Sequence, residues 1–536
     1  MTHGIVSAPQ PEAVEAGAEA LEKGGNAVDA AIACAFVQTA VDPQMCGIAG
    51  FGSMQLYLPE RGAHLFLDFH GRAPLAARED MWADRILGET EDGFGFLLEG
   101  RVNEIGYGSI TTPMTLKALD TALGRFGTMG LAEVMEPAIR YAEDGFAVRP
   151  HVRNYWMQTE NAGRGPHSDY LTKDPAARKI YVKDDGSLYQ VGETLRNPDM
   201  AATYRQIAAE GVESFYSGAI ADRIVADMGA NGGLLGREDL ESVEVAEMEP
   251  LWGTYRGHRI ATNNPPGGGL MLLEMLNILE AFDLAAMGHN SADYVATVSE
   301  AMKIATVDKD THVGDPRFVD VPVERLTSKA YAAEMADRIK RGEKTHVPRY
   351  NPGGEESRDT THISAVDEHG NCVALTHSIG APAGVVTEGL GFMYNGCMAV
   401  FDPRPGHAGS IAPGKSRFTA MCPTIVFAGD DPVFVVGAPG ATFITMGVLQ
   451  AILNAVDFGM SALEAVAAPR FCTTSDTIEI TNRVRRSVER ELAERGYPVR
   501  RHALSYHFAG VHAVRLRNGR WDGGADPGRD GVAIAV

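Results

Sequence analysis

Basic charge, cysteine and long apolar runs are all scarce in this sequence, and each shortage removes a class of function. Lysine and arginine total 48 against 70 aspartate and glutamate residues, a net charge of −22. An acidic chain repels phosphate backbones, so no nucleic-acid partner is expected. The six cysteines (Cys34, Cys46, Cys372, Cys397, Cys422, Cys472) are scattered, with no C-x-x-C and no metal spacing. That predicts reduced, mostly buried thiols rather than a disulfide framework. No apolar run reaches the length of a membrane span, and Met1-Thr2-His3-Gly4 opens without a basic segment or an apolar stretch. The expectation is a cytoplasmic protein with no membrane partner. Nucleotide signatures are missing as well. The segment Gly47 to Gly52 is no dinucleotide fingerprint, and the glycine-rich turn Asn264 to Gly269 lacks the G-K-[ST] of a phosphate loop. No cofactor and no metal are expected. His362 and His377 lack carboxylate or cysteine companions at ligand spacing and read as packed or hydrogen-bonded.

What is present is an ordinary globular composition, 45% hydrophobic and 22% charged, over 536 residues. Apolar periodicity predicts helices at 11–24, 26–41, 114–127, 131–146, 199–210, 214–229, 270–282, 291–308, 328–342, 443–456 and 484–495. Strands are expected at 53–58, 64–69, 255–262 and 433–437, and near 498–503, 509–516 and 531–536. Residues 150–200 read as long connections with a short helix or two.

The organising stretch is Asp359-Thr360-Thr361-His362-Ile363-Ser364-Ala365-Val366-Asp367, followed by Gly370 to Ser378. Alternation and β-branched residues predict two strands, and Glu368-His369-Gly370-Asn371 supplies the turn. A polar, glycine-bearing segment from Gly342 to Asp359 runs into this hairpin, as a cleavable connection would. The residues alone leave two readings. Thr360 and Thr361 can be hydroxyls satisfying a strand start. Alternatively, the Thr360 hydroxyl attacks the Asp359 carbonyl, the amide becomes an ester, and water frees a new N-terminus. An α-amine with a pKa of roughly 7.7–8.0 then sits beside its own hydroxyl as general base.

The string TTHISAVDEHGNCVALTHS resembles the small-subunit start of the γ-glutamyltransferases, an N-terminal-nucleophile hydrolase family. EALEKGGNAVDAAIA, the Phe418 to Thr424 segment, Gly437-Ala438-Pro439-Gly440-Ala441 and Ala525 to Arg529 are similar to other family segments. The resemblance implies an α+β fold, a four-layer αββα sandwich of two antiparallel sheets flanked by helices. It implies a precursor cut before Thr360 into a large segment, 1–359, and a small one, 360–536, which pair with each other in one αββα unit. A dimer of such heterodimers is the assembly to test. Thr360 is then the nucleophile, Thr376 and Ser378 orient its hydroxyl, and backbone N–H groups of Gly440 and Ala441 form the oxyanion hole.

The end of the site that binds the acyl donor departs from the family. Where the family reads D-x-R-E-x-A-P, with the arginine on the α-carboxylate of a γ-glutamyl group, His70 stands at the arginine position. Arg72 lies two residues on, on the same face of an extended chain. Glu388, Asn395 and Thr419 are further candidates for contact with substrate. The family's glutamine, aspartate and asparagine that hold the α-amino group correspond to Cys397, Val400 and Gly380. Residues 401–416 stand where many members carry a longer lid, which suggests a wider mouth. The expected activity is therefore cleavage of a γ-glutamyl or similar small-acyl amide, with water or an amine as acceptor. The alternatives are an acylase acting on a non-γ-glutamyl amide and an unprocessed, ligand-binding relative.

Overall fold

A computed structural model describes residues 3–90, 93–159, 163–348, 360–504 and 507–536. Of the expected scissile linker from Gly342 to Asp359, residues 349–359 lie outside the described residues. Its two main sheets comprise β1 (Gly4–Ala8), β2 (Phe51–Leu58), β3 (Ala63–Phe69), β4 (Ala246–Met248), β5 (Leu251–Tyr255), β6 (His258–Thr262), β7 (Thr361–Asp367), β8 (Cys372–Ser378), β9 (Thr424–Ala428), β10 (Asp431–Gly437), β11 (His512–Arg517), β12 (Arg520–Ala525) and β13 (Val532–Ala535). The first sheet has the order β13-β1-β7-β8-β2-β3-β4 and the second β12-β11-β10-β9-β6-β5. All neighbours are antiparallel.

The sheets stack face to face over a dry layer in which Val366, Cys372 and Ala374 meet Ile425, Val435 and Val514. On the outer face of the first sheet lie α1 (Pro11–Glu22) and α2 (Ala27–Val41); on that of the second lie α3 (Gly269–Leu279) and α4 (Phe443–Val456). The result is the expected αββα sandwich. All fifteen residues of α2 are buried, which its nearly continuous apolar sequence demands. Its start is fixed by a capping box between Asn26 and Asp29, and the Asp29 carboxylate also accepts from the Thr128 and Met129 N–H groups. Such a cap contributes about 1 kcal/mol, and here it also ties α2 to a distant turn.

The alternation in β7 sorts its side chains between two cores. Ile363 and Ala365 enter the helix-side core, while Val366 enters the layer between the sheets. Residues on both sides of position 359 are interleaved in each sheet. β1 pairs with β7 and β13, β8 pairs with β2, and β9 pairs with β6. Two expected elements divide differently. The strand expected over 255–262 starts later, as β6 at His258, because its first residues end β5 and form the turn at Arg256 and Gly257, both with positive φ. The helix over 214–229 is broken at Ser217-Gly218 into Glu213–Tyr216 and Ala219–Ala230. The 150–200 stretch carries short helices at Pro150–Trp156, Asp169–Thr172 and Pro175–Tyr181.

Candidate active site

The open end of the β7–β8 hairpin is where its chemistry gathers. Thr360 immediately precedes β7 and is buried, 5% exposed. Its Oγ1 donates to Ser378 Oγ at 3.0 Å, and that oxygen also accepts from the Gly380 N–H at 2.8 Å. Ser378 is thus held by the backbone before it meets the threonine. The Thr360 φ is 131°, where β-branched residues are rarely found, at a cost of order 1–3 kcal/mol.

Thr376 has a different partner. Its hydroxyl pairs with His362 Nδ1 at 2.8 Å, while His362 Nε2 pairs with Ser364 Oγ at 3.0 Å. Ser364 Oγ in turn donates to the His512 carbonyl. The His362 ring lies against β10, where a Cβ on Gly437 would fall 2.2 Å from a ring carbon, so the sheet approaches this closely only with glycine there. Burial, followed by the neighbouring His377, pushes His362 down to about 3; burial also lowers His377 to about 3. Both rings are therefore neutral near pH 7, and they act as hydrogen-bonding struts rather than as acids. His377 points to the helix side, pairing with Gln38 Oε1 at 2.8 Å. Gln38 Nε2 donates to Thr361 Oγ1 at 2.8 Å, so α2 locks the residue next to Thr360.

The second component is the loop between β10 and α4. Gly440 and Ala441 have φ values of 137° and 48°, and the turn closes with Phe443 N–H donating to the Gly440 carbonyl. A Cβ on Gly440 would lie 2.7 Å from Ala509 Cα. Only glycine fits that approach.

Thr360, Ala441 and Thr419 line one narrow cavity, together with Gly380, Cys397 and Val400. The three positions that correspond to the family's ammonium-holding residues therefore do meet at the threonine. None of their side chains offers an oxygen acceptor. The cavity holds about 30 Å³, room for a water molecule, so an acyl chain enters only as a lining side chain moves. Outside it lies a cavity of about 710 Å³, which shares Phe94 and Val400 with the inner one and is bounded by Asp402, Arg404 and His407 from the short 401–416 loop.

Sequence reasoning missed the most consequential lining residue. Arg417 is buried, with its guanidinium 4.4 Å from the Phe51 ring centroid and 5.7 Å from that of Phe94. Nη1 donates to the Phe418 carbonyl, and Nη2 faces Cys397 Sγ at 3.8 Å. Nε has no hydrogen-bond partner among the described residues, and no carboxylate there lies at ion-pair distance from the side chain. Arg164 also lines the cavity, donating to the Phe94 carbonyl.

The other candidates for substrate contact lie elsewhere. His70 is buried with Nδ1 against the Asp68 carboxylate. Arg72 bridges to Ser416 by backbone and donates to the Glu244 carbonyl; it does not line the Thr360 cavity. Asn395 is committed to structure, with Oδ1 accepting from Thr111 and Nδ2 donating to the Ala49 and Thr111 carbonyls. Glu388 is exposed and borders a separate groove beside Asp174 and Lys179. All six cysteines are buried.

Comparison with known proteins adds the following. Residues 13–536 match the family described as Gamma-glutamyltranspeptidase. The acylase ACY 1 proenzyme of Pseudomonas sp. (strain V22) is 39% identical over 542 residues, covering 100% of this chain and 94% of that protein. The glutathione hydrolase proenzyme of Escherichia coli (strain K12) is 34% identical over 484 residues, covering 87% of this chain and 80% of its own length. The crystal structure of cephalosporin acylase from Bacillus halodurans aligns with a TM-score of 0.87 at 29% identity, over 99% of this chain and 96% of that one.

Proposed function

The chain belongs to the gamma-glutamyltranspeptidase family, and from that premise we propose that it matures by self-cleavage before Thr360 and hydrolyses amides whose acyl group carries a carboxylate but no α-ammonium. Maturation begins as Thr360 Oγ attacks the preceding carbonyl. The C–N bond breaks as the ester forms, and water then releases residue 359 as a carboxylate and Thr360 as a free amine. In turnover that amine takes the hydroxyl proton as the oxygen adds to the substrate carbonyl. The proton passes to the departing amine, an acyl-threonine remains, and water or a competing amine takes the acyl group. The Gly440 and Ala441 N–H groups face the developing oxyanion, and the bond from Thr360 to Ser378 holds the attacking oxygen in place.

One observation carries the substrate reading: the cavity places Arg417 beside Gly380, Cys397 and Val400. A guanidinium without a carboxylate partner attracts an anion with charge-assisted bonds worth about 1.5–3 kcal/mol. An ammonium brought within about 4 Å of it is repelled by about 4 kcal/mol at an effective dielectric of 20. The site thus suits a glutaryl-type acyl group, the γ-glutamyl skeleton without its amine. Residence in the cytoplasm is part of the same proposal, in keeping with six scattered and buried cysteines.

The experiment compares glutaryl-p-nitroanilide with γ-glutamyl-p-nitroanilide on the processed protein. The expected result is a kcat/KM at least about tenfold higher for the glutaryl compound, the ratio that 1.4 kcal/mol produces. A preference for the γ-glutamyl compound overturns the substrate reading. A single lasting band on a denaturing gel, with no turnover of either, overturns the enzymatic one and leaves a ligand-binding protein.

A further inference from the structure

Beside the oxyanion loop lies a buried cluster that the proposed reaction does not use. Glu479 sits on the strand Ile478–Thr481, His502 ends the parallel strand Val499–His502, and His507 follows. His502 and His507 are 7% and 2% exposed. Their ring nitrogens and a Glu479 oxygen lie within 4.8 Å of one another.

The geometry is peculiar for a set of simple hydrogen bonds. Both imidazoles turn Nε2 toward one oxygen, Glu479 Oε2, at 2.7 Å from His502 and 3.1 Å from His507. The rings stack with centroids 3.4 Å apart and planes 11° from parallel. The contact from His507 is a proper hydrogen bond, but the shorter one from His502 is not aligned as one. Its Nε2 is therefore buried with no hydrogen-bond partner, aimed into the cluster. The other carboxylate oxygen, Oε1, lies 3.6 Å from Arg500 Nη1. Arg500 thus fixes the carboxylate so that Oε2 faces the imidazoles, the orienting role that outer groups play around metal ligands. Its charge opposes a cation at the same time.

We propose that Glu479, His502 and His507 bind one divalent transition-metal ion, zinc in particular, with water completing the coordination. Two imidazole nitrogens and one carboxylate oxygen are a known zinc donor set at bond lengths of about 2.0–2.2 Å. Those lengths place tetrahedral ligand atoms roughly 3.3 Å apart. Glu479 Oε2 reaches that spacing from both imidazoles by opening the 2.7 and 3.1 Å contacts, and the two rings, now stacked with planes 11° from parallel, tilt apart so that both Nε2 lone pairs converge on the ion. The ion's role is architectural. His507 packs against Phe443, the first residue of α4, and Phe508 stacks on the same ring. Ala509 bounds Gly440, and the Gly510 N–H donates to the Pro439 carbonyl at 3.0 Å. An ion held by His502 and His507 therefore fastens the segment against which the oxyanion loop rests.

The test uses the full-length protein without an affinity tag, stripped with EDTA and dialysed. Cobalt(II) chloride is titrated in, and zinc content is measured by mass spectrometry after re-addition of zinc and gel filtration. The expected results are an intense visible d–d absorption of four- or five-coordinate cobalt that saturates near one equivalent, and retention of about one zinc per chain. Binding should fall at least tenfold in Glu479→Gln and in His502→Gln. A wild-type cobalt spectrum indistinguishable from that of the free aqueous ion overturns the proposal whether or not the variants fold. So does zinc retention that is the same in wild type and in the folded variants.

Discussion

Thr360 Oγ1 lies 3.0 Å from Ser378 Oγ, across the open end of a hairpin whose two strands have no other hydroxyl directed at that threonine among the described residues. The two hydroxyls of β8 therefore separate in role. Ser378→Ala should lower kcat up to about a hundredfold with little change in KM, the scale of loss when a reacting group is misplaced. Thr376→Val should leave kcat within a fewfold. It strands His362 Nδ1 in the core and should destabilise the fold by about 1–3 kcal/mol. Steady-state kinetics and urea unfolding on the two variants separate these outcomes, and equal losses of kcat would contradict them. Thr360→Ala should remain a single chain without activity.

Arg417→Gln should reduce kcat/KM for glutaryl-p-nitroanilide by about ten- to a hundredfold, matching a lost charge-assisted bond of 1.5–3 kcal/mol. Turnover of γ-glutamyl-p-nitroanilide should hold or rise, because the repulsion leaves with the charge. Val400→Asp works from the opposite side by adding a carboxylate to the same cavity. It should shift the ratio of the two substrates toward the γ-glutamyl compound. Activities that fall in parallel for both substrates would instead point to general damage of the site.

Why Arg417 was invisible in the sequence, while Thr360 was not, is a matter of range. The hairpin is a local object: β-branched alternation and a turn at Gly370 specify it within twenty residues, and the structure has both strands there. The same holds for α2, whose cap and apolar run lie side by side in sequence. Arg417 sits in a polar stretch and becomes a cavity residue only because Phe51 and Phe94, from far along the chain, cover its guanidinium. No period or motif carries that. Asn395 fails in the converse way. Its type suggests recognition of substrate, yet Thr111 and Ala49, also remote in sequence, take up its amide. The extra turn between β5 and β6 was legible in principle. Arg256-Gly257 is a short turn within an otherwise continuous strand pattern, and the alternation on each side concealed it.

Stability should fall as pH drops from about 6.5 toward 3. His362 and His377 are held down to about 3 in the fold, whereas an unfolded histidine protonates near 6.5. Below 6.5 the unfolded chain binds protons that the folded chain does not, so unfolding gains free energy with each unit of acidification. The loss levels off below about 3, where the folded rings protonate too. At pH 5 each ring contributes a loss of about 2 kcal/mol by this linkage. Urea midpoints measured from pH 7.5 to 4.5 should decline, and His377→Gln should flatten the slope by about one proton's worth. A flat wild-type profile would show that the rings are not buried neutral.

The loop proposed to hold the oxyanion offers the sharpest contrast, because its two backbone N–H groups, of Gly440 and Ala441, face different constraints. Gly440 has a φ of 137° and an Ala509 neighbour that an added Cβ would strike at 2.7 Å. Gly440→Ala should therefore cost about 1–3 kcal/mol of stability and displace the N–H groups it carries or precedes. Loss of one such donor lowers kcat by about 10²–10³. Ala441 already occupies the left-handed region at 48°. Ala441→Gly relieves about 1 kcal/mol of strain and loses about 0.5–1 kcal/mol to the greater freedom of the unfolded chain. These nearly cancel, and the backbone donor survives, so both melting temperature and kcat should stay close to wild type. The discriminating measurement is kcat on glutaryl-p-nitroanilide for the two variants beside their thermal unfolding. If Gly440→Ala turns over as fast as wild type while Ala441→Gly does not, the loop is not holding the oxyanion in the manner argued here.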